Sequence, residues 1–104
     1  MNREIKFRAW DTIEKKWYKA NELEIFSLMA DGGDRYKFVE FTGLKDKNKN
    51  KIYEGDTLEI IATGERYEVI FDDGCFYAHL DGNVLIQLSE VNNSVDIMGN
   101  KWEK

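Results

Sequence analysis

The densest group of polar side chains in the sequence is the run K-D-K-N-K-N-K at residues 45–51. Asp46, Asn48 and Asn50 stand at the first, third and fifth positions of an EF-hand calcium loop, where oxygen ligands are required. The sixth position, which should be glycine, is Lys51, and the twelfth holds a threonine instead of the bidentate glutamate. The interleaved lysines also put positive charge where a dication would bind. We therefore do not expect a calcium site.

A phosphate-binding loop does not fit this run either. Such loops need several small residues leading into a helix N-terminus, whereas Gly43 and Gly55 lie twelve residues apart with strand-like sequence on both sides. Four lysines could still contact a nucleic-acid backbone without sequence preference. We favour a solvated hairpin tip, in which the Asn and Asp side chains bond to their own backbone.

Cys75 and His79 raise the possibility of a nucleophile with its base. On one strand they share a face, but four residues at about 3.3 Å each separate them by roughly 13 Å, and a hydrogen bond needs about 3 Å. One Cys and one His also cannot form a zinc site without two carboxylates. The carboxylate pairs Asp72-Asp73 and 31–34 lie in solvated turns, whereas general acid–base catalysis needs two carboxyl groups in different environments. We expect no catalytic residue, no cofactor, no metal ligand and no enzymatic activity.

The composition describes one small globular unit. The chain has 104 residues, of which 42% are hydrophobic and 13% aromatic, enough for a packed interior. No apolar run approaches the roughly 20 residues of a membrane span, and residues 1–6 do not read as a signal peptide. A single cysteine fits a reducing compartment. We predict a cytoplasmic protein that does not contact membranes.

The net charge of −5 disfavours a general nucleic-acid binder. It is unevenly spread: residues 1–53 hold 12 basic against 9 acidic side chains (+3), and residues 54–104 hold 3 against 11 (−8). Such a chain can dock its own halves, pair head to tail with a copy, or offer its basic half to a polyanion. The interpretation we favour is two differently solvated faces of one domain.

Alternating apolar and polar residues dominate the sequence and predict a mostly β protein. We expect strands, in chain order, at 5–10, 17–18, 36–41, 57–62, 67–71, 76–80, 84–88 and 95–98. Short strands separated by Gly/Asp turns are typical of a small barrel or sandwich. Residues 21–29 are ambiguous, because Asn21 and Glu24 resemble a helix capping box while the alternation suits a strand. We favour strand or irregular structure there.

Two neighbouring motifs stand out: F-T-G-L-K-D-K-N at residues 41–48, followed by I-Y-E-G-D at residues 52–56. They resemble the YopX family of bacteriophages and prophages. The start, residues 3–11, the central Y-E-V-I-F-D-D-G-C-F-Y, residues 67–77, and the end, residues 96–100, agree with it. The resemblance implies a mostly β protein whose C-terminal half is SH3-like. It implies no established activity and no catalytic residues.

The chain departs from the family pattern in the turn after Asp46. The family loop typically runs Asp-Lys-Asn-Gly-Lys-Glu, whereas here Asn48 is followed by Lys49. Asn-Gly suits a type I′ turn because both central residues take positive φ, and lysine is penalised there. We therefore expect a wider turn, or one in which Asn48 or Asn50 alone takes the left-handed conformation.

These observations combine into one set of expectations. The fold is an N-terminal β-hairpin subdomain, residues 1–53, packed on a C-terminal SH3-like small β-barrel, residues 54–104. The function is that of a non-enzymatic phage or prophage accessory protein, a protein-interaction module that binds a phage or host protein in the bacterial cytoplasm and forms a homo-oligomer.

The alternative is a weak nucleic-acid binder, which is possible but not favoured. The aromatic residues near basic ones could stack bases, although such residues more often form core or oligomer contacts. These aromatic residues are Phe7, Trp10, Trp17, Tyr18 and Trp102. The candidate contacts to nucleic acid are the basic residues of the N-terminal half: Arg3, Lys6, Arg8, Lys45, Lys47, Lys49 and Lys51.

Overall fold

A computed structural model describes residues 6–18, 27, 29, 34–80 and 84–103. These residues are mostly in β-strands, as predicted. The strands are β1 (Phe7–Asp11), β2 (Lys16–Tyr18), β3 (Tyr36–Lys45), β4 (Lys51–Tyr53), β5 (Asp56–Ile60), β6 (Arg66–Asp72), β7 (Cys75–Leu80), β8 (Val84–Gln87) and β9 (Val95–Asn100). A four-residue helix α1 (Leu88–Val91) and the 3-10 turns η1 (Asn92–Ser94) and η2 (Lys101–Glu103) complete the described elements.

The first sheet is antiparallel, with the strand order β2-β1-β3-β4. Aromatic side chains occupy both of its faces. Trp10 and Trp17 stand opposite each other on β1 and β2, with ring centroids 4.9 Å apart, while Tyr18 and Tyr36 meet on the other face at 5.8 Å. The N-terminal part, which was expected to be a β-hairpin, therefore forms a four-stranded sheet.

The second sheet has the order β8-β7-β6-β5-β9 and curls into a half-barrel. The last strand, β9, returns to pair with β5, the first strand of this sheet. Its side chains alternate between a buried inner face and an outer face, because successive strand residues point to opposite sides of a sheet. The buried inner face is formed by Leu58, Tyr67, Val69, Phe76, Ala78 and Val95.

The hydrophobic core lies inside the curled sheet, but the first sheet contributes to it. Ile52 of β4 is fully buried among the inner residues of the second sheet and the helix residue Leu88. Leu44 of β3 packs against the same cluster. The two sheets therefore share one core, and the short strand β4 is the element that joins them.

Every predicted strand overlaps an observed one, but four segments differ. The strand predicted at 57–62 ends at Ile60, and Ile61 lies in a turn. Lys51–Tyr53, where no strand was predicted, is the strand β4, and its side chain Ile52 is part of the core. Leu88 begins a short helix instead of ending a strand. Ser27 and Met29 are helical, so the strand interpretation of 21–29 is wrong at these two positions, and the remainder of that segment lies outside the described residues.

The turn after Asp46 is wider than a two-residue type I′ turn, as one of the two alternatives predicted, but neither asparagine is its left-handed residue. Neither Asn48 nor Asn50 has positive φ; Lys49 takes the left-handed conformation, at φ 67°. The N–H of Lys49 donates to the carbonyl oxygen of Asp46 (3.0 Å), and the N–H of Asp46 donates to the carbonyl oxygen of Asn50 (2.9 Å). This is a three-residue hairpin loop, a tight turn followed by one left-handed residue. The left-handed position comes after the turn, so it falls on Lys49.

The buried carboxylate of Asp46 explains why this loop tolerates the strained lysine. Its Oδ1 accepts the N–H groups of Asn48 (2.8 Å) and Asn50 (2.9 Å), so the side chain organises the loop backbone. Asp73 and Gly74 show the contrasting case: both have positive φ, at 48° and 80°, as a type I′ hairpin requires. The Asp72-Asp73 pair is thus part of a turn.

A second buried carboxylate orders the β1–β2 hairpin. Asp11 accepts hydrogen bonds from Nε (3.1 Å) and Nη2 (2.8 Å) of Arg35. These bonds hold the pKa of Asp11 well below its usual range against the opposing effect of burial, and the N–H groups of Glu14 and Ile13 lower it further. The Arg35 side chain thus ties the segment before β3 to the end of β1.

We predict that Lys49→Gly is more stable than Lys49→Ala by about 1 kcal/mol, because glycine takes a left-handed φ without the steric penalty of a Cβ. Both variants remove the same charge and the same long side chain, so their difference isolates the backbone effect. Urea unfolding of the two variants measures it. Equal free energies of unfolding would contradict the loop geometry.

We predict that Arg35→Gln flattens the acid dependence of stability. Because the pKa of Asp11 is lower in the folded than in the unfolded chain, its stabilisation is complete above the unfolded pKa and is lost as the pH falls, between about pH 5 and pH 2. Urea unfolding across this range should show a smaller loss for Arg35→Gln than for wild type. Arg66→Gln, which removes an exposed arginine bonded to Glu59, is the control and should keep the wild-type slope. An unchanged slope in Arg35→Gln would count against this account.

Candidate functional site

Arg8 is a partly buried cation at the junction of the two sheets. It points from β1 towards the second sheet, with its guanidinium carbon 3.7 Å from the ring centroid of Trp17 and 4.2 Å from that of Tyr53. Two aromatic faces around one guanidinium favour the cation and fix its plane. Its Nη2 lies 3.5 Å from Oδ1 of Asp56. Burial lowers the pKa of Arg8, and the charge of Asp56 opposes that shift.

Asp56 occupies the start of β5 and is 1% exposed. Its Oδ2 accepts the N–H of Tyr53 (2.8 Å), and its Oδ1 accepts Nδ2 of Asn100 (2.9 Å). Burial raises the pKa of this carboxyl, and the two hydrogen bonds and the charge of Arg8 oppose the rise. Gly55, just before it, has φ 86°, and a Cβ there would approach Nδ2 of Asn100 to 3.3 Å. The tight turn therefore needs glycine.

Glu103 closes the same junction from the C-terminal side. Its Oε2 accepts Nε1 of Trp17 (3.0 Å), and its Oε1 accepts the N–H of Asn100 (2.7 Å). Asn100 also donates from Nδ2 to the carbonyl oxygen of Glu54 (3.0 Å). Residues that are distant in sequence are thus bonded into one network that links β2 to the end of β9.

A cleft of about 310 Å³ opens beside this network. Its walls combine cationic, anionic and amide side chains with one apolar residue and one glycine. They are formed by Arg8, Asn50, Lys51, Asp56, Ile97, Gly99 and Glu103. We call this space the junction cleft. It is an open, mostly polar cleft with an arginine at its wall.

The turn within residues 45–51, which we call the Lys/Asn turn, is a second link between the sheets. The N–H of Lys47 donates to the carbonyl oxygen of Val95 (3.3 Å), and Nδ2 of Asn48 donates to Oδ1 of Asp96 (2.9 Å). Nδ2 of Asn92 donates to the carbonyl oxygen of Lys45 (2.7 Å). The turn therefore lies against the start of β9 instead of projecting freely into solvent.

The structure brings together only some of the predicted basic residues. Arg8 and Lys51 line the junction cleft, with Nζ of Lys51 5.5 Å from the ring centroid of Phe41. Lys47 forms a long ion pair with Asp96 (3.9 Å). Lys45 and Lys49 are exposed near the turn, and Lys6 precedes β1, where its carbonyl oxygen accepts the N–H of Phe41 (2.7 Å). Arg3 lies outside the described residues.

The candidate reactive residues do not converge. Cys75 stands opposite Asp72 in the register of β6 and β7, while His79 stands opposite Glu68 at the other end of the pair. Cys75 is exposed. Within residues 6–18, 27, 29, 34–80 and 84–103, no three His, Cys, Asp or Glu side chains are grouped to hold a metal ion. Across the same ranges, no helix is long and apolar enough to cross a membrane.

The Arg8–Asp56–Glu103 network was not found by sequence reasoning. Its members are far apart in the chain, and no local motif gives the spacing of residues that meet only through sheet pairing. One signal was present. Gly55-Asp56 belongs to the motif that carried the family resemblance, and Gly and Asp are typical turn residues whose Asp side chain can accept a backbone N–H. That signal could have identified Asp56, but it does not name Arg8 or Glu103.

We predict that Asn100→Ala lowers the free energy of unfolding by about 2–3 kcal/mol, because it removes two buried donors and leaves an oxygen of Asp56 without one of them. Asn93→Ala, at an exposed position in η1, is the control and should change stability by less than about 0.5 kcal/mol. Urea unfolding compares the two variants. A similar small effect for both would show that the network does not stabilise the junction.

Comparison with known proteins agrees with this architecture. A model of the YopX protein family matches residues 25–104. The solved structure "Crystal structure of protein EF1440 from Enterococcus faecalis" superimposes with a TM-score of 0.68 at 23% sequence identity, over 98% of this chain and 96% of that one. No curated protein matches significantly. At that identity the structure shows the shared fold alone, and the family match covers most of the chain. The chain belongs to the YopX family.

Proposed function

We propose that this chain is a non-enzymatic protein-interaction module of bacteriophages and prophages, working in the cytoplasm of the bacterial host and assembling with copies of itself. The phage setting rests on the family resemblance. The observation that carries the interaction proposal is the composition of the outer face of the second sheet. That face has apolar and aromatic side chains at its centre instead of only charged ones.

The strand register defines this surface. Ile70 stands opposite Tyr77, and His79 stands opposite Leu85, with all four side chains on the side away from the core. We call these four residues the outer strip. Leu85 is 44% exposed, and the other three are partly buried. Adjacent apolar side chains on an exposed sheet face are typical of a protein contact surface.

Charge indicates the kind of partner. Glu68 and Asp72 lie on the same face as the outer strip and are exposed. A surface with an apolar centre and an acidic rim fits a partner with the opposite charge around an apolar patch. The basic side chains of a second copy satisfy this description, which is why we include self-assembly. A host or phage protein with a basic surface is the other partner of this class.

The finer features of the fold belong to the same proposal. An SH3-like arrangement of the second sheet is supported by its half-barrel form and by the return of β9 to β5, the step that starts to close a barrel. Division into subdomains 1–53 and 54–104 is supported by the boundary between the two sheets, which falls between Tyr53 and Asp56. The shared core around Ile52 means that the two would form one cooperative unit.

Leu85→Lys tests the interaction surface. The substitution puts a charge on the most exposed side chain of the outer strip. We expect it to reduce the capture of a specific protein from phage-infected cells by at least tenfold and to lower the mass measured by light scattering. Ile61→Lys is the matched control, because Ile61 is 47% exposed but lies in the turn after β5. It should behave as wild type. Retained capture and assembly in Leu85→Lys, or a strictly monomeric wild type without a partner, would contradict the proposal.

Nucleic-acid binding through the basic N-terminal half is the second candidate. Exposed Lys45 and Lys49 beside Lys51 support it, whereas Arg8 and Lys47 already contact carboxylates of the chain. Such binding would weaken steeply as salt rises, because it depends on phosphate neutralisation. Fluorescence anisotropy with labelled DNA and RNA decides the question, and no binding at low salt removes this alternative.

A further inference from the structure

The second sheet has two edge strands, and they differ in how their free edges are protected. An edge strand leaves a row of backbone N–H and C=O groups unpaired, which proteins protect with charged residues, bulges or a covering segment. All three devices are present on β9. Asp96 is charged, and Met98 is the extra residue where the register with β5 shifts. The N–H of Lys47 donates to the carbonyl oxygen of Val95 (3.3 Å), so the Lys/Asn turn covers part of this edge.

The β8 edge lacks these devices in the part of the chain that the structure describes. Its sequence, V-L-I-Q at residues 84–87, contains no charged residue, and its register with β7 shows no shift. Among the described strands, β8 pairs with β7 alone. Leu85 is 44% exposed, and Gln87 is also exposed. Because antiparallel strands alternate the side to which their hydrogen-bonding groups point, every second residue of β8 presents its N–H and C=O to the free side.

We propose that β8 pairs antiparallel with β8 of a second copy around a two-fold axis, so that the two five-stranded sheets form one sheet of ten strands. The proposal rests on the self-assembly included in the proposed function and names its contact. An axis perpendicular to the sheet keeps both outer faces on one side, so residues that share a face stand opposite each other. Centring the pair on Leu85 sets it against Leu85 of the partner subunit, whereas centring it on Ile86 would set Leu85 against a polar glutamine. The leucine pair is the more favourable of the two.

The charges of the edge strands favour a second copy as the occupant. Around a two-fold axis each residue near the axis lies close to its own counterpart, and like charges opposite each other are destabilising. The other edge strands of the two sheets each contain a charge: Lys16 on β2, Lys51 on β4 and Asp96 on β9. Self-pairing of those short strands would bring like charges together. The uncharged strand β8 can pair with itself without this cost.

Edge pairing also keeps the acidic residues of the two outer faces apart. Glu68 and Asp72 lie on β6, and five interstrand steps separate the β6 strands of the two copies in the joined sheet. At about 4.8 Å a step this is roughly 24 Å, several times the screening length of about 8 Å at physiological ionic strength. Stacking the two outer faces would place the same carboxylates about 10 Å apart. Edge pairing therefore joins the outer strips while the acidic residues stay screened from each other.

Opposite charges at position 85 test the pairing in the full chain. Leu85→Lys and Leu85→Glu each set like charges against each other at the axis, so each variant alone should weaken self-association by at least about tenfold in analytical ultracentrifugation. An equimolar mixture sets lysine against glutamate and should recover the wild-type dissociation constant to within about threefold. Recovery also shows that both variants are folded. Ile61→Lys and Ile61→Glu change a similarly exposed residue in the turn after β5 and should assemble as wild type.

Amide hydrogen exchange separates edge pairing from stacking of the outer faces. In the assembled wild type all backbone N–H groups of β8 should be protected, because the free side is then hydrogen-bonded to the second copy. In Leu85→Lys, every second N–H group of β8 should exchange rapidly. Rapid exchange of alternate β8 amides in an assembled wild type would show a stacked arrangement and would overturn the edge pairing.

The outcomes distinguish this proposal from the interaction surface on which it rests. Weakened association in both variants without recovery in the mixture overturns the β8 pairing but retains the outer strip as a contact surface. Assembly that survives both substitutions overturns the outer strip and the β8 pairing together. A monomeric wild type that still captures a protein through Leu85 assigns the free edge to a strand of that protein and overturns the second copy as the occupant.

Discussion

The burial of Asp56 is the constraint on which the junction of the two sheets depends. A carboxylate that leaves water loses several kcal/mol of solvation unless donors and a cation replace it. Here the replacements come from distant parts of the chain: the N–H of Tyr53 from β4, the amide of Asn100 from β9 and the charge of Arg8 from β1. The carboxylate is satisfied only when both sheets are in place, so it makes their relative position specific.

The Lys/Asn turn also helps to fix the relative position of the two sheets, but it does so through hydrogen bonds at the surface. A free hairpin tip would need only to satisfy its own backbone, which Asp46 does through Asn48 and Asn50. This turn also donates to Val95 and contacts Asp96 at the start of β9. Its ion pair is long and half exposed, and pairs of that kind stabilise a protein by less than about 1 kcal/mol. Backbone and amide hydrogen bonds are therefore the stronger part of this link.

The strands were predictable from sequence because alternation is a local property, and each short strand carries its own inner and outer residues. The strand β4 was missed because three residues are too few to show a period, although Ile52 is central to the core. The wider turn was predicted correctly, whereas the alternative that placed the left-handed residue on an asparagine is wrong, because it weighed propensity without the hydrogen bonds of Asp46 that set the loop. The junction depends on pairing between distant segments, and a single sequence carries no direct record of that pairing.

Part of the uneven charge of the chain is neutralised by contacts within the molecule. Arg8 and Lys47 belong to the basic half and contact Asp56 and Asp96 of the acidic half, so the chain docks its own halves at the junction. The exposed charges are therefore not distributed as the charges of the two sequence halves are. Lys45 and Lys49 are exposed near one turn, whereas Glu68 and Asp72 are exposed on the outer face of the second sheet. We therefore propose a basic protein partner before a nucleic acid.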